Sequence, residues 1–431
     1  MKKLLKNCLL NNQPANILIN GEFIESINST VTSADRVMDM SGKIVIPAMI
    51  DLHAHIRDME LAYKEDWTTA GKAAFSGGVS TVFDMPNTLP PTTTLKHLAR
   101  KREAAAASIV NYGIYAGATE HNLKDLREML ETGGIAGIKI FLAASSSNEV
   151  ITNKEHLWAV FALAKAYDKP VLSHCELHNC IITRERQFSA EEYNHARYHS
   201  TIRDRKCAYN ALKLVLELAS EVGNSLVVLH ISSKEEMRLV KEYKQYGDFP
   251  LYCEVTPHHL FLTENIIEKA GNAGKVNPPL RTQEDCDALM EAVLEGGADT
   301  IGSDHAPHSR EEKLKEYKSA PSGFPGLETS LSLLMNNHLR GHQIPLETIV
   351  RMTSTNPAKI MKIKNRGEIR EGNYADIAVI DPKEEWTVNP ENFKTKAKYS
   401  PYSGFSLRGK VVQTFINGEE FNPKGKEVTY G

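Results

Sequence analysis

Residues 50–57 read Ile-Asp-Leu-His-Ala-His-Ile-Arg, which places His53, His55 and Arg57 at every second position. Alternate residues of a β-strand share a face, so two imidazoles and a guanidinium can project to one side. Two imidazoles so placed can chelate a divalent cation. With 16 histidines in 431 residues, chance alone supplies roughly 0.6 such pairs, so the spacing is weak by itself. Its company is stronger. Lys139, His174, His230 and Asp304 each fall within or just after an apolar, β-like run. Lys139 is the odd member, because an ammonium beside two dications is strongly repelled. It can be a lysine that reaches the rim or pairs with a carboxylate. Alternatively its neutral amine adds carbon dioxide, and the resulting carbamate bridges two metals whose charge reverses the cost of burial.

Eight β-like runs could position these groups: 49–55, 79–85, 112–118, 135–142, 170–174, 226–231, 251–255 and 300–303. Helical patterns separate them, such as Leu157, Val160, Phe161 and Ala164 at i, i+3, i+4 and i+7. Eight βα units predict an α/β fold, a (β/α)8 TIM-type barrel over 49–365, whose active site gathers at the C-terminal strand ends. His53 and His55 close the first run, His174 the fifth, His230 the sixth and Asp304 the eighth, while Lys139 lies in the fourth. A doubly wound sheet would need a Gly-rich phosphate turn, and none is found. The two ends differ from the middle. Asn20-Gly21 and Asn417-Gly418 each sit beside apolar runs, a short hairpin signal. Residues 1–48 and 366–431 are therefore expected to join as one small β-sandwich-like domain. Within it, residues 1–10 are expected to form an edge strand; an Asn-rich stretch follows them instead of a signal-peptide cleavage site.

Basic residues (51) nearly balance acidic ones (54), which argues against a nucleic-acid surface. No apolar run approaches the roughly 20 residues that span a bilayer, so no membrane partner is expected. The six scattered cysteines have no paired spacing, and free buried thiols in a reducing cytoplasm are expected.

These motifs together carry a resemblance. His53-Ala54-His55-Ile56-Arg57, Asp84-Met85-Pro86-Asn87-Thr88, Lys139, His174-Cys175-Glu176, His230 and Glu254-Val255-Thr256-Pro257-His258-His259 are joined by three more. These are Asn277-Pro278-Pro279-Leu280-Arg281, Ser303-Asp304-His305-Ala306-Pro307-His308 and Pro325-Gly326-Leu327-Glu328-Thr329. In this order, over almost the whole length, they resemble the dihydroorotase family of the amidohydrolase superfamily. The tail Lys398-Tyr399-Ser400-Pro401 is similar to that of cyclic amidohydrolases.

The resemblance implies zinc, two ions per subunit. His53, His55 and Asp304 would hold one ion and His174 and His230 the other, with carboxylated Lys139 and a hydroxide bridging them. It implies that Asp304 is also the catalytic proton shuttle. It implies that Arg57, Asn87 and His308 grip the substrate's carboxylate and that Asn277 meets the pyrimidine ring. The implied reaction is reversible hydrolysis of L-dihydroorotate to N-carbamoyl-L-aspartate, in pyrimidine synthesis, by a cytoplasmic homodimer. Allantoinase or hydantoinase (dihydropyrimidinase) activity is the alternative; these relatives usually lack the arginine after His-x-His. A catalytically silent scaffold, for instance for a carbamoyltransferase, is the third reading.

Two stretches depart from the family pattern. Ala143-Ala144-Ser145-Ser146-Ser147-Asn148 lacks the Asp-Asp-Gly of many bacterial members, and Asp58-Met59-Glu60 replaces Glu-Pro-Gly after Arg57. The first resembles the carboxylated-lysine arrangement of hydantoinases and allantoinases. Other residues receive ordinary structural readings. His258, His259 and His305 are expected to support or pack beside the site. His97, His121, His156, His178, His195, His199, His338 and His342 have no spacing that favours ligation. The charged run 309–318 reads as a solvated loop or helix face.

Overall fold

The computed structural model describes residues 1–431 except 29, 32, 145–149, 342, 422 and 431. The serine run 145–147 and His342 therefore lie outside the described residues. The chain opens with β1 (Lys2–Leu10), β2 (Gln13–Asn20), β3 (Phe23–Ile27), β4 (Arg36–Asp39) and β5 (Ile44–Pro47). β1 and β2 pair antiparallel, and β2 turns through Gly21 into β3 with Asn20 opposite Phe23.

The barrel strands follow. They are β6 (Met49–Ala54), β7 (Val79–Asp84), β8 (Asn111–Ile114), β9 (Ala116–Gly117) and β10 (Ile138–Phe141). β11 (Val171–His174), β12 (Leu226–Val228), β13 (Leu251–Val255) and β14 (Thr300–Ile301) complete them. All their pairings are parallel. β8 and β9 are two pieces of the third barrel strand, separated at Tyr115. The circle closes where His305 bridges Ala54 and the His55 N–H donates to the His305 carbonyl at 2.7 Å. The strands are almost entirely buried, as parallel strands covered on both faces must be. The helix Lys154–Ala166 buries the expected Leu157, Val160, Phe161 and Ala164.

The floor of the barrel is apolar. Ile50, Leu52, Phe83, Tyr115, Leu172 and Val227 form one cluster, with Met361 and Val428 packed into it. The register of β6 slips between Asp51 and Ala54. Leu52 joins this interior cluster, yet the next residue, His53, also faces inward, toward Asp304. A bulge of this kind re-aims a side chain that strict alternation would send outward.

β15 (Ile377–Thr387) and β16 (Ser406–Phe415) return to the start of the chain. β15 lies antiparallel to β5, which gives a seven-stranded sheet in the order β16-β15-β5-β1-β2-β3 with β4 on β1. β1 is thus interior and not an edge strand. β2 lies on one side of it, and β4 and β5 lie parallel on the other. Leu4, Leu5 and Cys8 are fully buried. Among the described residues no helix is long and apolar enough to cross a membrane.

One further expectation is corrected. Cys180 and Cys207 form a disulfide that ties the helix His178–Glu185 to the helix Arg205–Val222. The chain between them makes an excursion of short helices and returns, a proximity that linear spacing does not reveal. Cys8, Cys175, Cys253 and Cys286 are free and buried. The charged run 309–318 is mostly exposed, with Lys313 and Tyr317 as its buried members; Lys313 Nζ donates to the carbonyls of Pro321 and Gly323.

Asn417-Gly418 forms a tight turn closed by a single Ile416–Glu419 bridge, and it packs against the first Asn-Gly turn. A Cβ on Gly418 would lie 2.0 Å from the Gly21 carbonyl oxygen, whereas one on Gly21 meets nothing within 4 Å. Both glycines have positive φ. Gly418→Ala is expected to destabilise by roughly 3 kcal/mol and Gly21→Ala by about 1 kcal/mol. Denaturant unfolding checks the difference, and equal losses would contradict the packing of the two turns.

Candidate active site

The site lies at the C-terminal ends of the barrel strands, where one cavity is lined by His53, His55, Lys139, His174, His230, Asn277 and Asp304. His53, His55 and Asp304 each offer a ligand atom, and these atoms lie within 4.8 Å of one another. Asp304 Oδ1 is 3.3 Å from His53 Nε2 and 3.2 Å from His55 Nε2.

Three of the imidazoles are oriented from behind. His53 Nδ1 lies 2.7 Å from Glu254 Oε1, and His55 Nδ1 lies 2.6 Å from Asn87 Oδ1. An amide oxygen can only accept, so His55 carries its proton on Nδ1 and presents the Nε2 lone pair to the cavity. His174 is turned the other way. Its Nε2 faces Glu176 Oε2 at 2.9 Å, and its Nδ1 lies 3.0 Å from His230 Nε2. Arg203 clamps Glu176 through Nε and Nη2. Burial would raise the Glu176 carboxyl, but the Arg203 charge and the His174 hydrogen bond hold it well below the usual range.

The electrostatics favour neutral ligands. Burial pulls His53 down to about 4, and His55 and His230 well below their ordinary value. Glu254 is pushed up to about 8 by burial and by Asp304. Glu254 Oε1 and His53 Nδ1 are thus joined by a short hydrogen bond between a buried carboxyl and a buried imidazole. Lys139 is drawn down to about 7 by burial, against the opposing pull of Asp304 and Glu254. Its Nζ has no hydrogen-bond partner among the described residues and sits 4.6 Å from the Phe141 ring centre. His230 Nδ1 is also buried without a partner. Buried orphan groups of this kind mark a missing ligand or ion. Three clustered donors and neutral imidazoles suit a site for a divalent cation.

Arg57 lies beside the cluster, with Nε donating to the Pro307 carbonyl at 3.1 Å and Nη2 3.3 Å from His308 Nε2. Lys64 Nζ can only donate, so His308 Nδ1 accepts from it at 3.2 Å. The His308 proton then sits on Nε2, which donates to the Ser322 carbonyl. Arg57 and His308 thus meet donor to donor; the His308 N–H is held by Ser322, and the Arg57 fork is the group suited to an anion's oxygen. Arg57, Asp58 and Met59 all adopt positive φ. The loop that replaces Glu-Pro-Gly consequently turns sharply, and β-alternation stops short of Arg57.

Several contributors were not legible as such. Glu254 is an acid in the middle of a buried strand, between Cys253 and Val255, and that placement was its one signal. Glu176 follows His174 by two residues, but its partner Arg203 is distant in sequence. His199, given no role from its spacing, is buried with Nε2 3.0 Å from both the Val276 carbonyl and Asn277 Oδ1. His259 bridges Thr256 and Pro278, and His305 Nδ1 accepts the Gly326 N–H.

The barrel and its histidine-rich mouth define a hydrolase class that sequence comparison also reaches. The amidohydrolase family model matches residues 44–421, and the chain belongs to that family. A Methanosphaera stadtmanae protein named dihydroorotase is 36% identical over 424 residues, 96% of this chain and 95% of its own length. A Staphylococcus epidermidis protein of the same name is 31% identical over 97% of each chain. Among solved structures, the L-hydantoinase (dihydropyrimidinase) from Arthrobacter aurescens superposes with a TM-score of 0.92. It is 30% identical and covers 99% of this chain and 97% of its own.

Burial, and for His308 the nearby Arg57 charge, holds His199 and His308 down to about 3, and burial holds His259 to about 4. The unfolded chain binds protons at these positions below about pH 6.5, whereas the folded chain does not. Their stabilisation is therefore complete above that pH and is lost as pH falls toward the folded values. Each is expected to contribute a loss of about 2 kcal/mol between roughly pH 6.5 and 5. Chelator-treated protein should unfold at much lower denaturant at pH 5 than at pH 7, and a constant midpoint would contradict neutral burial.

Proposed function

We propose that this chain is a dihydroorotase that interconverts L-dihydroorotate and N-carbamoyl-L-aspartate in pyrimidine synthesis. The observation that carries the reading is the junction where Arg57, backed by His308, stands beside the His53–His55–Asp304 cluster. Cleavage of a cyclic amide needs the cluster, and a ring carrying a carboxylate needs the junction. The dihydroorotase name of the relatives supports the same choice.

The residues fit two zinc ions: His53, His55 and Asp304 would hold one, His174 and His230 the other, and carboxylated Lys139 would join them. When bound, such ions lower the pKa of water toward 7 and polarise a carbonyl. Near pH 7 the Lys139 amine is partly neutral. Its lone pair can then bond to the carbon of carbon dioxide while a nitrogen proton leaves. Asp304 is the proton carrier: its carboxylate takes the proton of the attacking water and delivers it to the departing ring nitrogen. Arg57, with His308 and Asn87, orients the ring through its carboxylate, and Asn277 contacts the ring from across the cavity. The reading extends to residues 49–365 as the catalytic barrel, residues 1–48 with 366–431 as a composite domain, a homodimer and a cytoplasmic setting.

Hydantoinase or allantoinase activity is the second reading, favoured by the likeness to the Arthrobacter enzyme. Arg57 weighs against it, because a guanidinium fork beside the cluster suits a ring that carries a carboxylate. A silent scaffold fits poorly with a complete set of candidate ligands.

A panel of dihydroorotate, allantoin, hydantoin and dihydrouracil, with zinc and bicarbonate added, tests the assignment. Dihydroorotate is expected to be turned over best. Arg57→Ala should raise its KM by roughly 30-fold or more, the loss of a charge-assisted hydrogen bond, with zinc content unchanged. Preference for the uncharged rings, or an unaltered KM, would overturn it.

A further inference from the structure

The excursion held by the Cys180–Cys207 disulfide carries the short helix His199–Ile202 over the mouth of the barrel. The His199 ring is buried there and packs edge-on against Tyr317 at 5.6 Å. Its Nε2 sits 3.0 Å from the Val276 carbonyl oxygen and 3.0 Å from Asn277 Oδ1. A backbone carbonyl can only accept, so Nε2 must carry the proton. The same N–H then faces the Asn277 amide, which must turn its oxygen, and not its NH2, toward the ring. An amide flip that ordinary geometry leaves open is fixed here by that backbone carbonyl. Asn277 consequently carries its N–H donors on the side of the amide away from His199, and Asn277 lines the same cavity as the histidine cluster.

Opening a cyclic ureide consumes one ring carbonyl and leaves the other, the ureido carbonyl between two nitrogens, as an unreacted acceptor. An N–H donor binds that oxygen; an amide oxygen turned the same way would repel it. We propose that His199 is a positioning residue that locks Asn277 with its N–H toward the ureido carbonyl of the substrate. This rests on the dihydroorotase reading and deepens it. The Tyr317 contact packs the imidazole in place while the ring binds.

Steady-state kinetics of the full-length, zinc-loaded protein test the proposal, using dihydroorotate and its 2-thio analogue, with zinc content measured in parallel. His199→Phe keeps a ring against Tyr317 but has no N–H. It should raise KM for dihydroorotate by about ten-fold, the worth of one hydrogen bond, with kcat and zinc content close to wild type. His199→Gln, which keeps an N–H donor, should bring KM back to within about three-fold of wild type. Wild type should discriminate against the weakly accepting sulfur by about ten-fold, and His199→Phe should lose most of that discrimination. Wild-type turnover with an unchanged KM in His199→Phe overturns this proposal alone. So does a joint loss of kcat and zinc, or a His199→Gln variant no better than His199→Phe. No turnover of dihydroorotate by the wild type takes down the proposed function as well.

Discussion

Imidazole, amine and carboxylate bind a cation only through a lone pair, and burial is what leaves those lone pairs available here. A charged imidazole cannot be kept in this interior, so the histidines of the mouth are neutral and each must place its single proton somewhere. Asn87 places it for His55 and Glu176 for His174, while Glu254 meets His53 at Nδ1. Most of the polar architecture of the mouth follows from that demand. Arg203 is needed because Glu176 could not otherwise stay ionised in a buried place. Among the described residues Lys139 has no such backing group, and its Nζ is a cationic head drawn toward neutrality inside the ring of ligands.

Backbone strain gathers at the same place. His230 and Asp304 both adopt positive φ, as does Arg57. Non-glycine residues in that region cost about 1–3 kcal/mol each and persist where the surroundings over-determine them. The apolar floor supplies that determination: Phe83, Tyr115 and Leu172 fill the lower barrel and fix the strands whose upper ends carry the ligands. The His305–Ala54 bridge then locks the last strand to the first, bringing Asp304 against His53 and His55. A packed lower half and a strained, polar upper half divide stability from chemistry along one axis.

The alternation of His53 and His55, the eight apolar runs and the order of the motifs made the barrel and its mouth legible in the sequence. What was hidden involves contacts between distant segments. The slip of β6 that turns His53 inward leaves no mark on the sequence, because Leu52 and His53 each suit either face. Arg203 and His199 act through partners 27 and 78 residues away, so their spacing says nothing. Cys180 meets Cys207 only because the intervening helices fold back. β1 carried leucines that suited an edge or an interior strand equally, and its two neighbours on one side decided the matter.

The claim on which all of this depends is that separated side chains form one cage for paired cations. Diffraction from crystals grown with zinc and bicarbonate, measured above and below the zinc absorption edge, tests it most directly. The account predicts two anomalous peaks per chain, one among His53, His55 and Asp304 and one at His174 and His230, with added density on Lys139 Nζ between them. Strong zinc signal elsewhere on the molecule, with none inside the cage, would contradict it.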